Sequence, residues 1–140
     1  LDYNSEGLIL LTNSSDYSQT LELPKNNFKR VYEVRVYGNF DVDKLKTLSL
    51  GTKINKKIYK PFEFKITSKV KKNTNLIINL QEGKKNEIRE IFKNIGLQVN
   101  KLKRISYGPF KINKLLPGKL ESVTRAELKK YEDHIRNQKR

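Results

Sequence analysis

The chain has 140 residues, 30 of them Lys or Arg against 15 Asp or Glu, for a net charge of +15. That length fits one domain with a real core, and frequent Leu, Ile, Val and Phe identify a globular chain rather than a disordered one. With no Cys and one His, His134, disulfide frameworks, thiolate metal sites and zinc centres are excluded, so neither metal nor cofactor is expected. No apolar run approaches a membrane span or a signal core, and a cytoplasmic, monomeric protein is expected. A polyanion is the natural partner for such charge. The composition has a second reading, because Lys supplies most of the cations, Asn is frequent and Ala occurs once, a bias that AT-rich coding also produces. A start at Leu1-Asp2 without Met is expected of a piece cut from a longer chain.

Taken in order, Leu8–Leu11 is a short apolar run closed by Thr12-Asn13-Ser14-Ser15, which suits a buried strand. Asp16–Leu23 reads as a short helix with Ser15 as N-cap and Pro24 as its stop. Val31–Tyr37 alternates cleanly, with Tyr32, Val34 and Val36 on one face, and ends at Gly38. Asp41–Leu48 repeats Val42, Leu45 and Leu48 at helical spacing. Ile58–Lys60, Phe62–Ile66 and Leu76–Leu80 read as three strands of a meander, with Lys71–Asn75 as a connecting loop. The clearest helix is Asn86–Ile95, whose stripe is Ile88, Ile91, Phe92 and Ile95 and whose C-terminal cap is Gly96. Val99–Tyr107 is a strand, Gly108-Pro109 a turn, and Phe110–Ile112 extended again. Thr124-Arg125-Ala126-Glu127 has the form of a capping box opening a basic helix and tail over 124–140. Strands outnumber helices without a regular alternation, which predicts one α+β domain over 1–140, its mixed, mainly antiparallel sheet flanked by helices.

The residues suggest chemistry in several places, each with an ordinary structural alternative. Asp2 and Glu6 are two carboxylates four apart near Gly7 and read either as an acid/base pair or as solvated residues beside a strand. Tyr32 lies on the apolar face of its strand and reads as core or as a site ring. Arg89 follows Ile88 on the most apolar helix, so its base borders the core and its charge calls for an anionic partner. Glu82-Gly83-Lys84-Lys85-Asn86 brings backbone amides and two cations to a helix start, an arrangement that suits phosphate or plain solvation. Lys101, Lys103 and Arg104 interleave with Tyr107 and Phe110, a mixture used on RNA backbones and stacked bases and equally compatible with an exposed strand face.

Leu1-Asp2-Tyr3-Asn4-Ser5-Glu6-Gly7, followed by Leu8–Leu11 and Thr12-Asn13, resembles the signature of the RsuA/RluB group of bacterial pseudouridine synthases. That signature runs Arg-Leu-Asp, two variable residues, Ser or Thr, one more, Gly, an apolar run and Thr-Asn. Three further segments follow in the family's order: Arg30-Val31-Tyr32-Glu33-Val34, Glu82-Gly83-Lys84-Lys85-Asn86-Glu87-Ile88-Arg89, and Val99–Phe110 with Arg104-Ile105-Ser106-Tyr107-Gly108-Pro109. The resemblance implies the pseudouridine synthase catalytic core. It makes Asp2 the catalytic nucleophile, Tyr32 the ring against the target base and Arg89 the cation paired with Asp2. It assigns RNA contacts to Arg30, Lys84, Lys85, Asn86, Arg104 and Tyr107, without cofactor or metal.

The substrate implied is a uridine of ribosomal RNA, in the large subunit before the small. Two departures stand out. The Arg that precedes Leu-Asp in the family would fall before residue 1, and Asn86 occupies a position where the family carries Arg, with Lys85 beside it as a substitute. Family members also carry an N-terminal RNA-binding domain and an earlier catalytic segment, which are expected upstream. The competing reading is a non-catalytic RNA-binding or ribosome-assembly module that kept the fold.

Overall fold

Alternation in the segment Arg30–Tyr37 builds the centre of the fold. The structure, a computed structural model, describes residues 1, 4–84 and 86–138. Among them the elements run β1 (Glu6–Gly7), α1 (Ser15–Glu22), a 3-10 turn (Pro24–Asn26), β2 (Arg30–Tyr37), α2 (Val42–Ser49), β3 (Thr52–Ile54), β4 (Lys57–Tyr59), β5 (Glu63–Val70), β6 (Asn73–Leu80), α3 (Glu87–Asn94), β7 (Gln98–Tyr107), β8 (Phe110–Lys111) and α4 (Arg125–Gln138). The main sheet is ordered β1-β7-β2-β6-β5, with β8 on β7. Only β1 on β7 is parallel among its described pairings. This is the mixed, mainly antiparallel α+β arrangement expected from the sequence.

On one face of β2, Val34 and Val36 join Leu76, Ile78 and Leu80 of β6 and Val99 and Leu102 of β7 in the main core. Leu45 of α2 and Ile88, Ile91 and Phe92 of α3 complete it, with Leu45 and Phe92 wholly buried. α2 starts where the Asp41 carboxylate accepts from the Asp43 N–H at 3.0 Å, an N-cap bond. α3 stops where Gly96 takes φ +78° and the Leu97 N–H bonds the Phe92 carbonyl at 2.9 Å, a glycine-terminated helix end.

A second cluster of Leu8, Phe28, Tyr107, Phe110 and Tyr131 holds α4 against the β7–β8 turn. Phe28 is central to it, stacked on Tyr131 at 5.6 Å and on His134 at 4.2 Å between ring centroids. His134 Nε2 also lies 2.5 Å from the Asn26 carbonyl, so the lone histidine is a packing group here. Gly108 has φ +56°, and a Cβ there would fall 2.6 Å from Phe28 Cδ1, which leaves no room for a side chain. The capping box of α4 forms as read, with the Glu127 N–H on Thr124 Oγ1 at 3.1 Å and the Thr124 N–H on Glu127 Oε1 at 3.0 Å.

Three expectations need correction. Leu8–Leu11 is not a buried strand: only Glu6–Gly7 pairs, Leu8 is buried, and Ile9 and Leu11 are exposed. The ladder stops because the Leu8 carbonyl is taken by the Arg104 side chain. The three-strand meander also fails, since β4 pairs with β3 in a separate ribbon while β5 pairs with β6 and β6 with β2. The 71–75 loop shrinks to Lys71-Lys72 because Asn73–Asn75 pair with β2 and β5 and bury Thr74.

Truncating Phe92 to Ala should lower stability by about 3–5 kcal/mol, the range for a buried aromatic that leaves a cavity. Denaturant unfolding at constant m-value checks this.

Candidate active site

The site is built on the same face of β2 that carries the core. Arg30 and Tyr32 keep the parity of Val34 and Val36, so the apolar stripe runs directly into a cleft of about 1000 Å³. Its wall includes Arg30, Tyr32, Leu80, Glu82, Glu87, Leu102, Arg104 and Tyr107, and Leu8–Thr12 cross its rim. β2 slips register against β7 between Val31, opposite Ser106, and Tyr32, opposite Arg104. Such a bulge re-aims side chains at a strand end, here at the cleft.

The N-terminal segment is held by an unusually close approach. Gly7 has φ +112°, and a Cβ on it would lie 2.2 Å from the Arg104 carbonyl oxygen. Only glycine allows β1 to lie in parallel on β7, pairing Glu6 with Lys103 and Gly7 with Arg104. The Leu8 N–H then donates to the Arg104 carbonyl at 2.8 Å, while Arg104 Nε and Nη2 donate to the Leu8 carbonyl at 3.0 and 2.8 Å. Glu6 is exposed.

Arg30, Arg104 and Tyr107 meet as one group. The Arg30 guanidinium is buried, donates to the Tyr107 hydroxyl at 2.7 Å and sits 4.7 Å from the ring centroid, with Arg104 at 5.0 Å from the same ring. Tyr107 donates onward to the Leu21 carbonyl at 2.8 Å. A desolvated cation–π contact contributes about 2 kcal/mol, which helps offset the cost of burying the guanidinium. Phe110, read as a stacking ring, is instead core, tilted on Tyr131 at 6.2 Å, because the β7–β8 turn folds it inward. Lys101 pairs with Glu33 at 3.6 Å.

Arg89 links α3 to both neighbouring segments. Its Nη1 donates to the Val99 carbonyl at 3.3 Å and its Nη2 to the Asn4 carbonyl at 2.5 Å. Among the described residues no carboxylate forms an ion pair with it. Asp2 and Lys85 lie outside the described residues. Lys84, on the cleft wall, lies 3.5 Å from Glu82 Oε2 and 5.6 Å from the Tyr59 ring centroid and donates to the Ile58 carbonyl. Asn86 caps α3 from the left-handed region at φ 55°, and its carbonyl accepts from the Glu90 N–H at 2.9 Å.

The sequence reading missed a buried pair of acids, Glu82 and Glu87, on the cleft wall. Burial and the adjacent Glu82 push the Glu87 carboxyl up to about 9, despite Lys84 and Arg30 nearby. Glu82 moves the other way. Burial opposes its ionisation, but Glu87, the Lys60 N–H at 2.7 Å and Lys84 together hold it below the usual carboxylate range. The pair therefore carries one proton, on Glu87, and one negative charge, on Glu82. One signal was available: Glu87 stands four residues before Ile91 and eight before Ile95, on the apolar stripe of α3.

The fold is similar to a solved structure described as a pseudouridylate synthase, with a TM-score of 0.83 and 23% identity over 93% of this chain and 56% of that one. A family model described as RNA pseudouridylate synthase matches residues 1–94. The chain belongs to that RNA pseudouridylate synthase family. An RNA pseudouridine synthase of Rickettsia felis is 46% identical over 130 residues, 93% of this chain and 56% of that protein. The ribosomal large subunit pseudouridine synthase B of Buchnera aphidicola is 38% identical over 84% of this chain and 48% of its own length. The chain thus spans about half the length of these relatives. No helix among the described residues is long and apolar enough to cross a membrane.

Two outcomes follow. A carboxyl that keeps its proton up to about 9 when folded, against an ordinary 4.5, makes the folded state lose stability as pH rises through that window. Glu87→Gln should flatten this fall, and unfolding midpoints at about pH 5 and pH 9 would measure it; an unchanged pH profile contradicts the assignment. Gly7→Ala should detach β1 from β7 and cost at least about 2 kcal/mol from clash and backbone strain, read as earlier proteolysis of the N-terminal segment.

Proposed function

We propose that this chain supplies the catalytic site of a cytoplasmic, monomeric RNA pseudouridine synthase that isomerises a uridine of ribosomal RNA, with Asp2 as the nucleophile. One observation carries the reading. Arg89 grips the Asn4 carbonyl, two residues after Asp2, and no carboxylate of the described residues neutralises it. A half-buried guanidinium in that position calls for an anion; of the two carboxylates the adjoining chain offers, Glu6 is exposed on β1 and forms no ion pair with Arg89, and we take Asp2 as that anion. The name of the Buchnera relative, a large-subunit synthase, favours large-subunit RNA.

The reaction detaches uracil from its sugar, turns it and rejoins it through a ring carbon. It is redox-neutral, and a carboxylate nucleophile suffices for it. The target base must leave its stack, at a cost of a few kcal/mol offset by contacts in the pocket. Tyr32, on the cleft wall beside Leu80 and Leu102, offers a ring against that base, while Arg89 holds Asp2 in its ionised form. Lys84, Lys85 and Asn86 at the start of α3 contact phosphate. Arg30, Arg104 and Tyr107 form the cationic wall behind the flipped nucleotide and keep the Leu8 rim in place.

Nucleoside analysis of ribosomal RNA incubated with the protein carrying this chain tests the reading. Pseudouridine should form, fall by about three orders of magnitude or more with Asp2→Asn, and fall on the order of a hundredfold with Arg89→Gln. Undiminished product from Asp2→Asn would overturn the nucleophile. RNA binding by the parent with no product at all would point instead to a binding module.

A further inference from the structure

The ribbon formed by β3 and β4 has no role in the reaction just described, yet it concentrates charge of one sign. Residues 52–62 contain Lys53, Lys56, Lys57 and Lys60 and no acid. All four lysines are exposed, and none forms an ion pair among the described residues. Directly opposed residues of an antiparallel pair share a face. Here Ile54 and Tyr59 are buried, which turns Lys53 and its partner Ile58, 65% exposed, to the outside, while Lys57, opposed to Ile54, is on the other face and is also exposed. Asn55 and Lys56 take left-handed φ values of 49° and 69°, a tight two-residue turn that sets Lys56 at the apex.

The ribbon is fastened to the cleft rather than free. The Lys60 N–H donates to Glu82 Oε1 at 2.7 Å, and Lys84 reaches back to the Ile58 carbonyl and over the Tyr59 ring. Glu82 and Lys84 both line the cleft. A cationic blade therefore stands at a fixed place beside the proposed site, with its own cations left uncompensated. Polyanion backbones are held by such point charges through counterion release, independently of base identity.

We propose that the β3–β4 ribbon is a second RNA contact, in which Lys53, Lys56, Lys57 and Lys60 grip the phosphate backbone flanking the nucleotide in the cleft. The inference rests on the reading of the chain as RNA-acting. It adds a contact that positions RNA without reading sequence.

The test measures binding of the full chain to two RNA stem-loops, alike except that one lacks uridine, over a range of salt. With all four lysines changed to Gln, the slope of log affinity against log salt should fall by roughly three for both RNAs. Affinity at about 0.1 M salt should drop at least tenfold for both. Changing the same four lysines to Arg should restore binding. Changing Lys44, Lys46, Lys129 and Lys130 to Gln removes equal charge from α2 and α4 and should have a clearly smaller effect. Unchanged slopes in the ribbon variant, or an equal loss in that control, would overturn the proposal while leaving the enzyme reading intact. A parent chain that binds neither RNA would overturn both.

Discussion

The absence of a Cβ at Gly7 governs where the N-terminal segment can lie. At 2.2 Å from the Arg104 carbonyl no other residue fits, and without that approach β1 would have no parallel partner. β7 would then lose the hydrogen bonds that fix Leu8, and the Asn4 carbonyl would have no reason to sit at the Arg89 guanidinium. Each step is short-range, but together they carry the position of the segment from Asn4 to Leu8 from the sheet edge to the helix α3. The motif glycine is thus explained by a backbone contact rather than by any direct part in chemistry.

Behind this clamp lies a set of buried polar groups whose charges are arranged so that few oppose one another. Arg30 is paired with a hydroxyl and a ring rather than with a carboxylate, and Glu87 avoids a second buried negative charge beside Glu82 by keeping its proton. Burying an ionised pair in a poor geometry is costly. Here one neutral acid, one carboxylate with a backbone donor and one guanidinium on an aromatic face share the wall of a single cleft.

Legibility followed the range of the interactions involved. α3 was readable because its apolar period, its glycine stop and the burial it predicts are all local. The capping box of α4 was readable for the same reason. Asn73-Thr74-Asn75 looked like a loop because its side chains are polar, but pairing with β2 and β5 overrides that preference. The partner of β4 depended on a left-handed turn at Asn55-Lys56, which Asn55 suits but which Lys56, in place of the usual glycine, does not announce. Arg89's need for an anion could be inferred from its place on the helix. The Glu82–Glu87 pair was half legible: Glu87's place on the apolar stripe of α3 was local, whereas the burial of Glu82 depends on the distant Lys60 N–H.

The parity of β2 has an evolutionary consequence. Val34 and Val36 belong to the core, and Tyr32 and Arg30 to the cleft, on one face of one rigid strand. Any repacking that tilts the strand to accommodate a new core side chain rotates the cleft wall by the same motion. Room for substitution that leaves the cleft wall in place lies instead on surfaces such as the exposed residues of β5.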